Sequence, residues 1–220
     1  MTDSEQRILA WHFLPADGRL NYGDGRLVVP GETLSVEGEP VLCEHGLHAS
    51  ERLIDALSYA PSSLVERVEV WGRVKRGTDT LDGQHRHCLW TLDIDRLLHE
   101  FALWCAEGAL NRERAAGREP DPRSWAALEA KRGWLAGTVS DAELDAARAA
   151  AWDAVGAAAW AAAWDAASDS AWDAARAAAN DSAWSAAKAA TRDNARAAVM
   201  EMQNTELERR VLALRETVDV

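Results

Sequence analysis

Cysteine is scarce in this chain, and the three present, Cys43, Cys88 and Cys105, are odd in number and follow no secreted-framework spacing. That excludes a disulfide scaffold and sets the expectation of a reducing, cytoplasmic compartment. Basic residues are also short, with 24 Lys and Arg against 36 Asp and Glu and a formal net charge of -12. Nucleic-acid affinity rests on Lys and Arg displacing counterions from phosphates, so no nucleic-acid partner is expected. Long apolar runs are missing too. The longest uncharged Ala/Trp stretch, Ala154 to Trp164, lies between Asp153 and Asp165 and is far short of the ~20 residues that cross a bilayer. The opening residues, Met1 to Arg7, lack the basic and apolar regions of a signal peptide. No membrane partner is therefore expected. A phosphate-binding loop, a dinucleotide fingerprint and paired histidines at helical spacing are all absent, and with them any expected cofactor or metal.

What is present divides in two. Up to about Ala106 the composition is mixed, whereas roughly half of the residues from Asp141 to Met200 are Ala. The fold class expected is α+β: a small mixed α/β head over residues 1–110, a linker over 111–123, and an all-α Ala/Trp-rich repeat region over 124–220. In the head, Ile8 to Leu14 reads as a strand ended by Pro15-Ala16-Asp17-Gly18. Arg26–Val29 and Thr33–Val36 flank Pro30-Gly31 as a hairpin-like pair, and Pro40–Cys43 reads as a further short strand. Ser50 is the expected N-cap of a helix carrying Leu53, Ile54 and Leu57 and stopped by Pro61. Leu64–Trp71, continuing toward Val74, and Cys88–Leu92 are strands, and Asp95–Trp104 is an amphipathic helix. The linker is placed where Gly117, Pro120 and Pro122 interrupt a charged stretch, and Ser124–Ala136 is a short helix beyond it.

The tail repeats in steps of four from Ala147, and Trp152, Trp160, Trp164, Trp172 and Trp184 all occupy the second position of a block. A twelve-residue unit is superimposed: Ser168-Asp169-Ser170, Asn180-Asp181-Ser182 and Arg192-Asp193-Asn194. Ala favours helix most strongly of all residues. Each four-residue step drifts about 40° around a helix, however, so the rings on one straight helix would spread around its circumference. A divided array of short helices, capped near Ser170 and Ser182, is expected ahead of one continuous helix or a non-helical solenoid. Trp160, Trp164, Trp172 and Trp184 are the candidate partner-binding residues, for a protein partner or a second copy of the chain, and core packing is the competing reading of the same rings.

The densest polar motif is Leu42-Cys43-Glu44-His45-Gly46-Leu47-His48-Ala49-Ser50, followed by Asp55-Ala56-Leu57-Ser58-Tyr59-Ala60. Together with Trp11-His12-Phe13, the strand Val65-Glu66-Arg67-Val68-Glu69-Val70-Trp71-Gly72-Arg73-Val74 and His85-Arg86-His87, it resembles an uncharacterised family of phage and bacterial proteins. That resemblance covers nearly the whole chain and implies a compact head with an Ala-rich tail, but no activity. The head is also similar to ADP-ribosyltransferase-like domains. That second resemblance implies that His12 is a strand histidine of the site, that Gly46 to Ser50 is its second motif and that Tyr59 is the ring near nicotinamide. The third element, a late Glu or Gln, has no occupant, because Glu69 precedes a Val-Trp strand. Cys43, His45, His48, His85, His87 and Cys88 are soft enough ligands for zinc, but their spacing matches no structural-zinc pattern.

Two readings follow. In the leading one the protein is a non-catalytic interaction or scaffolding protein with a self-packing tail. In the alternative the head is an ADP-ribosyltransferase-like or nucleotide-binding enzyme with His12, His48 and Ser50 as catalytic candidates. The alternative needs His12 and His48 side by side.

Overall fold

A computed structural model of the chain describes residues 6–21, 24–42, 44–153 and 192–218. The expected array over Ser170 and Ser182, and the rings of Trp160, Trp164, Trp172 and Trp184, lie outside the described residues, as does the side chain of Trp152. Within them the fold is mixed, with five strands in one antiparallel sheet and five helices. No described helix is long and apolar enough to cross a membrane.

The chain packs as two units, Met1–Ile94 with Ala213–Val220, and Asp95–Leu212. The first contains β1 (Ile8–Leu14), β2 (Thr33–Ser35), β3 (Leu47–Ala49), α1 (Leu53–Leu57), β4 (Leu64–Arg76) and β5 (Leu81–Asp93). β1 pairs with β4, β4 with β5, and β5 with both β2 and β3. Ser50, directly after β3, then exchanges two backbone hydrogen bonds of 2.8 Å with Trp11. The path β1, β4, β5, β3 thus returns to β1.

Alternation along β1 explains its two faces. Ala10 and Leu14 are buried with His12 between them on one face, and Trp11 and Phe13 are buried on the other. Ala10 joins Ala49, Val68, Val70 and Leu81 in one apolar cluster, while Leu14 joins Val28 and Cys88 in a second. On the opposite face the Trp11 and Trp90 rings meet edge to face at 5.7 Å, and the Arg67 guanidinium lies 4.0 Å above Trp11.

Several local expectations are corrected. Arg26–Val29 is not a strand of the sheet: its backbone bridges Arg19 at Leu27, its link to Thr33–Val36 is the Arg26 side chain donating to the Ser35 carbonyl, and Thr33–Ser35 pairs with β5 instead. Among the described residues of Pro40–Cys43 there is no strand: Val41 makes an isolated bridge to His45, and pairing begins at Leu47. Ser50 does not cap α1. Its backbone is spent on Trp11, the helix starts at Leu53, and the N-cap position falls to Arg52, which makes no side-chain cap bond.

The second unit is helical, with α2 (Asp95–Ala115), α3 (Pro122–Leu135), α4 (Asp141–Asp153) and most of α5 (Arg192–Val218). Packing divides the chain at Ile94 and Asp95, and α2 runs unbroken past residue 110 and through the start of the segment read as a linker. Gly108 is tolerated inside the helix, and only the short stretch from Ala116 to Asp121 separates α2 from α3. Pro122 starts a helix rather than ending one, because at the first helical position its missing N–H is no loss. Asp121 caps it, its carboxylate accepting from the Arg123 amide at 2.8 Å. Asp121→Ala should lower the urea-unfolding midpoint, and Asp121→Gly should lower it less. α4 opens on a reciprocal capping box, in which Ser140 N–H donates to Glu143 and Glu143 N–H donates back to the Ser140 hydroxyl. Leu103, Ala106, Leu110 and Leu128 fill the α2/α3 contact, and Ala127, Leu144 and Ala151 the α3/α4 contact.

Candidate active site of the head

The register of the sheet creates two histidine–carboxylate pairs by the same device. His12 on β1 stands directly opposite Glu66 on β4, and His48 on β3 directly opposite Asp82 on β5. Residues directly opposite across an antiparallel pair project on the same side and are close enough to interact. His12 Nδ1 hydrogen-bonds Glu66 Oε1 at 2.8 Å, and His48 Nδ1 lies 2.8 Å from Asp82 Oδ1. Both carboxylates are fully buried, whereas the imidazole side chains are 22% and 36% exposed.

Arg86 on β5 lies between the pairs and is itself buried. Its Nη2 is 3.1 Å from Glu66 Oε1, the same oxygen that holds His12, and its Nη1 donates to the His48 carbonyl oxygen. The Cys88 thiol bonds Glu66 from the next inward position of β5. His12 and His48, expected to adjoin, are therefore joined by one polar network with a member on each of β1, β3, β4 and β5. It sits between the two apolar clusters of the sheet, beside Ala10 and Val70 at one end and Leu14 at the other.

An ionised carboxylate only accepts, so His12 carries its proton on Nδ1 and keeps a lone pair on Nε2. Neither Nε2 has a hydrogen-bond partner among the described residues. Burial and then the Arg86 charge hold His12 down to about 4, outweighing Glu66, so the ring is neutral at pH 7. Burial alone would raise the Glu66 carboxyl, but Arg86 and His12 together leave it below its usual range. Burial and the adjacent Glu66 push the Cys88 thiol up, which makes it a protonated donor rather than a nucleophile or metal ligand.

The other candidates go elsewhere. Ser50 is buried in the bridge to Trp11. Tyr59 is 57% exposed and its hydroxyl donates to Asp79 at 2.8 Å. Glu69 pairs with Arg7 at 2.6 Å. His85 and His87 bond Ser35 and Thr33 across β2, and His45 bonds the Glu37 carbonyl. Cys105 is buried in the second unit, where Gln203 Nε2 donates to its sulfur at 3.4 Å, and Cys43 lies outside the described residues. No group of three or more His, Cys, Asp or Glu among the described residues is placed to hold a metal ion.

Glu66, Asp82 and Arg86 did not emerge as site residues from the sequence. One signal was available: Glu66 shares its strand parity with Val68 and Val70, so an inward-facing strand carries a carboxylate on its core side. Asp82 has no comparable mark, since it is identified only by its partner on β3. Comparison with protein-family profiles, curated proteins and solved structures returned no match to this chain.

Proposed function

We propose that the head is an enzymatic module of the acid–base class, with His12 as the proton acceptor and His48 as its partner in proton transfer. The observation that supports this reading is the doubled arrangement: each Nδ1 faces a fully buried carboxylate, and the imidazoles are the members of the network with exposed surface. A carboxylate behind an imidazole fixes its tautomer and stabilises the charge that develops when Nε2 takes a proton. Burying Glu66, Asp82 and Arg86 in a small sheet opposes folding by several kcal/mol per ion before pairing, and buried charges set beside partly exposed histidines are an arrangement that functional sites use. This favours the enzyme over a purely non-catalytic head. Within the enzyme reading, NAD cleavage draws less support than general acid–base chemistry. Tyr59 is occupied with Asp79, and Glu66 is enclosed by His12 and Arg86 rather than open to a substrate. A self-packing, partner-binding role for the Ala/Trp tail is a separate proposal that rests on the sequence of residues 154–191.

The experiment uses the full chain with two probes, p-nitrophenyl acetate and NAD. Wild type should cleave the ester faster than equimolar free imidazole, and His12→Gln should lower that rate by about 10²-fold or more, with His48→Gln also impaired. Nicotinamide release from NAD is expected to stay at background. An ester rate that survives His12→Gln in folded protein would remove the proposal, and nicotinamide release lost in His12→Gln would restore the transferase reading.

A further inference from the structure

We infer that Arg86 is a positioning residue that makes His12 and His48 one site: one end of its guanidinium shares the Glu66 oxygen with His12, and the other fixes the backbone of His48. The inference rests on the acid–base reading for its purpose but on independent geometry for its content. Glu66 Oε1 is contacted from two strands, by His12 Nδ1 at 2.8 Å and by Arg86 Nη2 at 3.1 Å. Arg86 Nη1 meanwhile donates to the carbonyl of His48, so the same planar group touches the carboxylate that holds His12 and the strand that carries His48. Only a guanidinium offers rigid donors in two directions with a charge that does not titrate in the working range. A lysine would supply the charge at one point and lose the second tether.

The groups facing His12 are Glu66 from β4, Arg86 from β5 and His48 from β3, with Cys88 behind Glu66 on β5; Asp82, also on β5, faces His48. With Arg86 beside it, Glu66 still raises the proton affinity of His12, but by less than burial and the Arg86 charge lower it. Without Arg86, Glu66 faces His12 alone and draws the proton onto the ring. The network therefore sets a proton-accepting state of His12 through a residue that has no contact with solvent.

The test is an NMR titration of the histidine ring resonances in full-length protein, wild type against Arg86→Gln and Arg86→Lys. Arg86→Gln should raise the His12 midpoint from about 4 by about one unit or more. Arg86→Lys should keep that midpoint low while the His48 backbone amide loses hydrogen-exchange protection. In wild type, the Arg86 side-chain N–H and His48 amide signals should shift with the His12 midpoint, a measurement that does not depend on any variant folding. An unchanged His12 midpoint in folded Arg86→Gln, or wild-type Arg86 and His48 signals indifferent to His12, overturns the inference. A merely structural arginine would not move the midpoint. None of these readouts involves turnover, so loss of the ester activity in His12→Gln and failure of the Arg86 coupling are told apart.

Discussion

Glu66→Gln should destabilise the protein by about 3–5 kcal/mol in urea unfolding at pH 7, because it leaves the buried Arg86 guanidinium without its counter-charge. Both partners are essentially inaccessible, at 0% and 2% side-chain exposure, so water cannot take over the lost interaction. Glutamine keeps one acceptor oxygen, but its NH2 group puts a donor where the carboxylate now accepts from either His12 or Cys88. A surface carboxylate gives the comparison. Removing Glu69, whose partner Arg7 is about half exposed, should change stability by less than about 1 kcal/mol. The pair Glu66→Leu with Arg86→Met should recover most of the loss, since a well-packed apolar pair of similar volume is commonly as stable as a buried ion pair. That double variant would be folded yet deprived of the oriented His12. A cost below 1 kcal/mol for Glu66→Gln would mean that Arg86 finds another acceptor, and the network would not be the obligatory unit described above.

Acidification should produce the other large effect. His12 in the first unit and His99 in the second are both depressed from 6.5 to about 4, in each case mainly by burial, with Arg86 and Lys131 respectively adding to it. The unfolded chain protonates these rings near 6.5, whereas the folded chain resists until about 4. Between those values the unfolded state binds more protons, so stability rises with pH. It is complete above about 6.5 and falls by up to ~3 kcal/mol for each histidine as the pH approaches 4. His99 is 5% exposed, its Nδ1 has no hydrogen-bond partner among the described residues, and its ring packs edge to face on Trp134 at 5.0 Å. His99→Leu should therefore flatten its share of the slope at little cost at pH 7. The partly buried Glu206, held down to about 2 chiefly by Arg209, adds stability that is lost only as the pH falls below its ordinary value of 4.5, which leaves the upper window clear. The measurement is urea unfolding at pH 7.0, 5.5 and 4.5. Equal stabilities at all three in wild type would refute the assignment of both rings as neutral in the folded protein.

The sequence was most legible where one local preference dominated. β1 has the predicted bounds because its apolar run meets a Pro-Gly turn, and the first half of α2 and nearly all of α3 lie where the 3.6-residue pattern places them. β4 and β5 extend to thirteen residues each, past the apolar stretches that announce them, because each strand completes the other's hydrogen bonding through charged positions. β3 was missed because three residues between Gly46 and Ser50 carry no pattern of their own. Their strand character comes from β5 on one side and Trp11 on the other. Gly46 shows why a loop motif looked reasonable there. It sits at φ 142°, and an added Cβ would lie 3.0 Å from that of Asp82, so glycine lets the chain pass close over the carboxylate. Two of the three catalytic candidates, His12 and His48, enter the network. The charges that organise them were hidden because Asp, Glu and Arg in a strand ordinarily mark its solvent side.

The closure of the strand path by Trp11 and Ser50 also bears on the order in which the head is made. His12 is 54 positions from Glu66, and Arg86 is 38 from His48, so no hairpin contains a complete pair with Arg86. Contacts of such sequence separation pay their loop-closure entropy before they return any stability, which places them late on a folding route. The β4/β5 hairpin can form early from local pairing, but until β1 and β3 arrive it exposes Glu66, Asp82 and Arg86 to water, where their charges are well solvated. Desolvation of these three groups and orientation of the two imidazoles thus belong to the same final step. A nascent head whose first strand has not yet docked holds every charge of the site and none of its geometry.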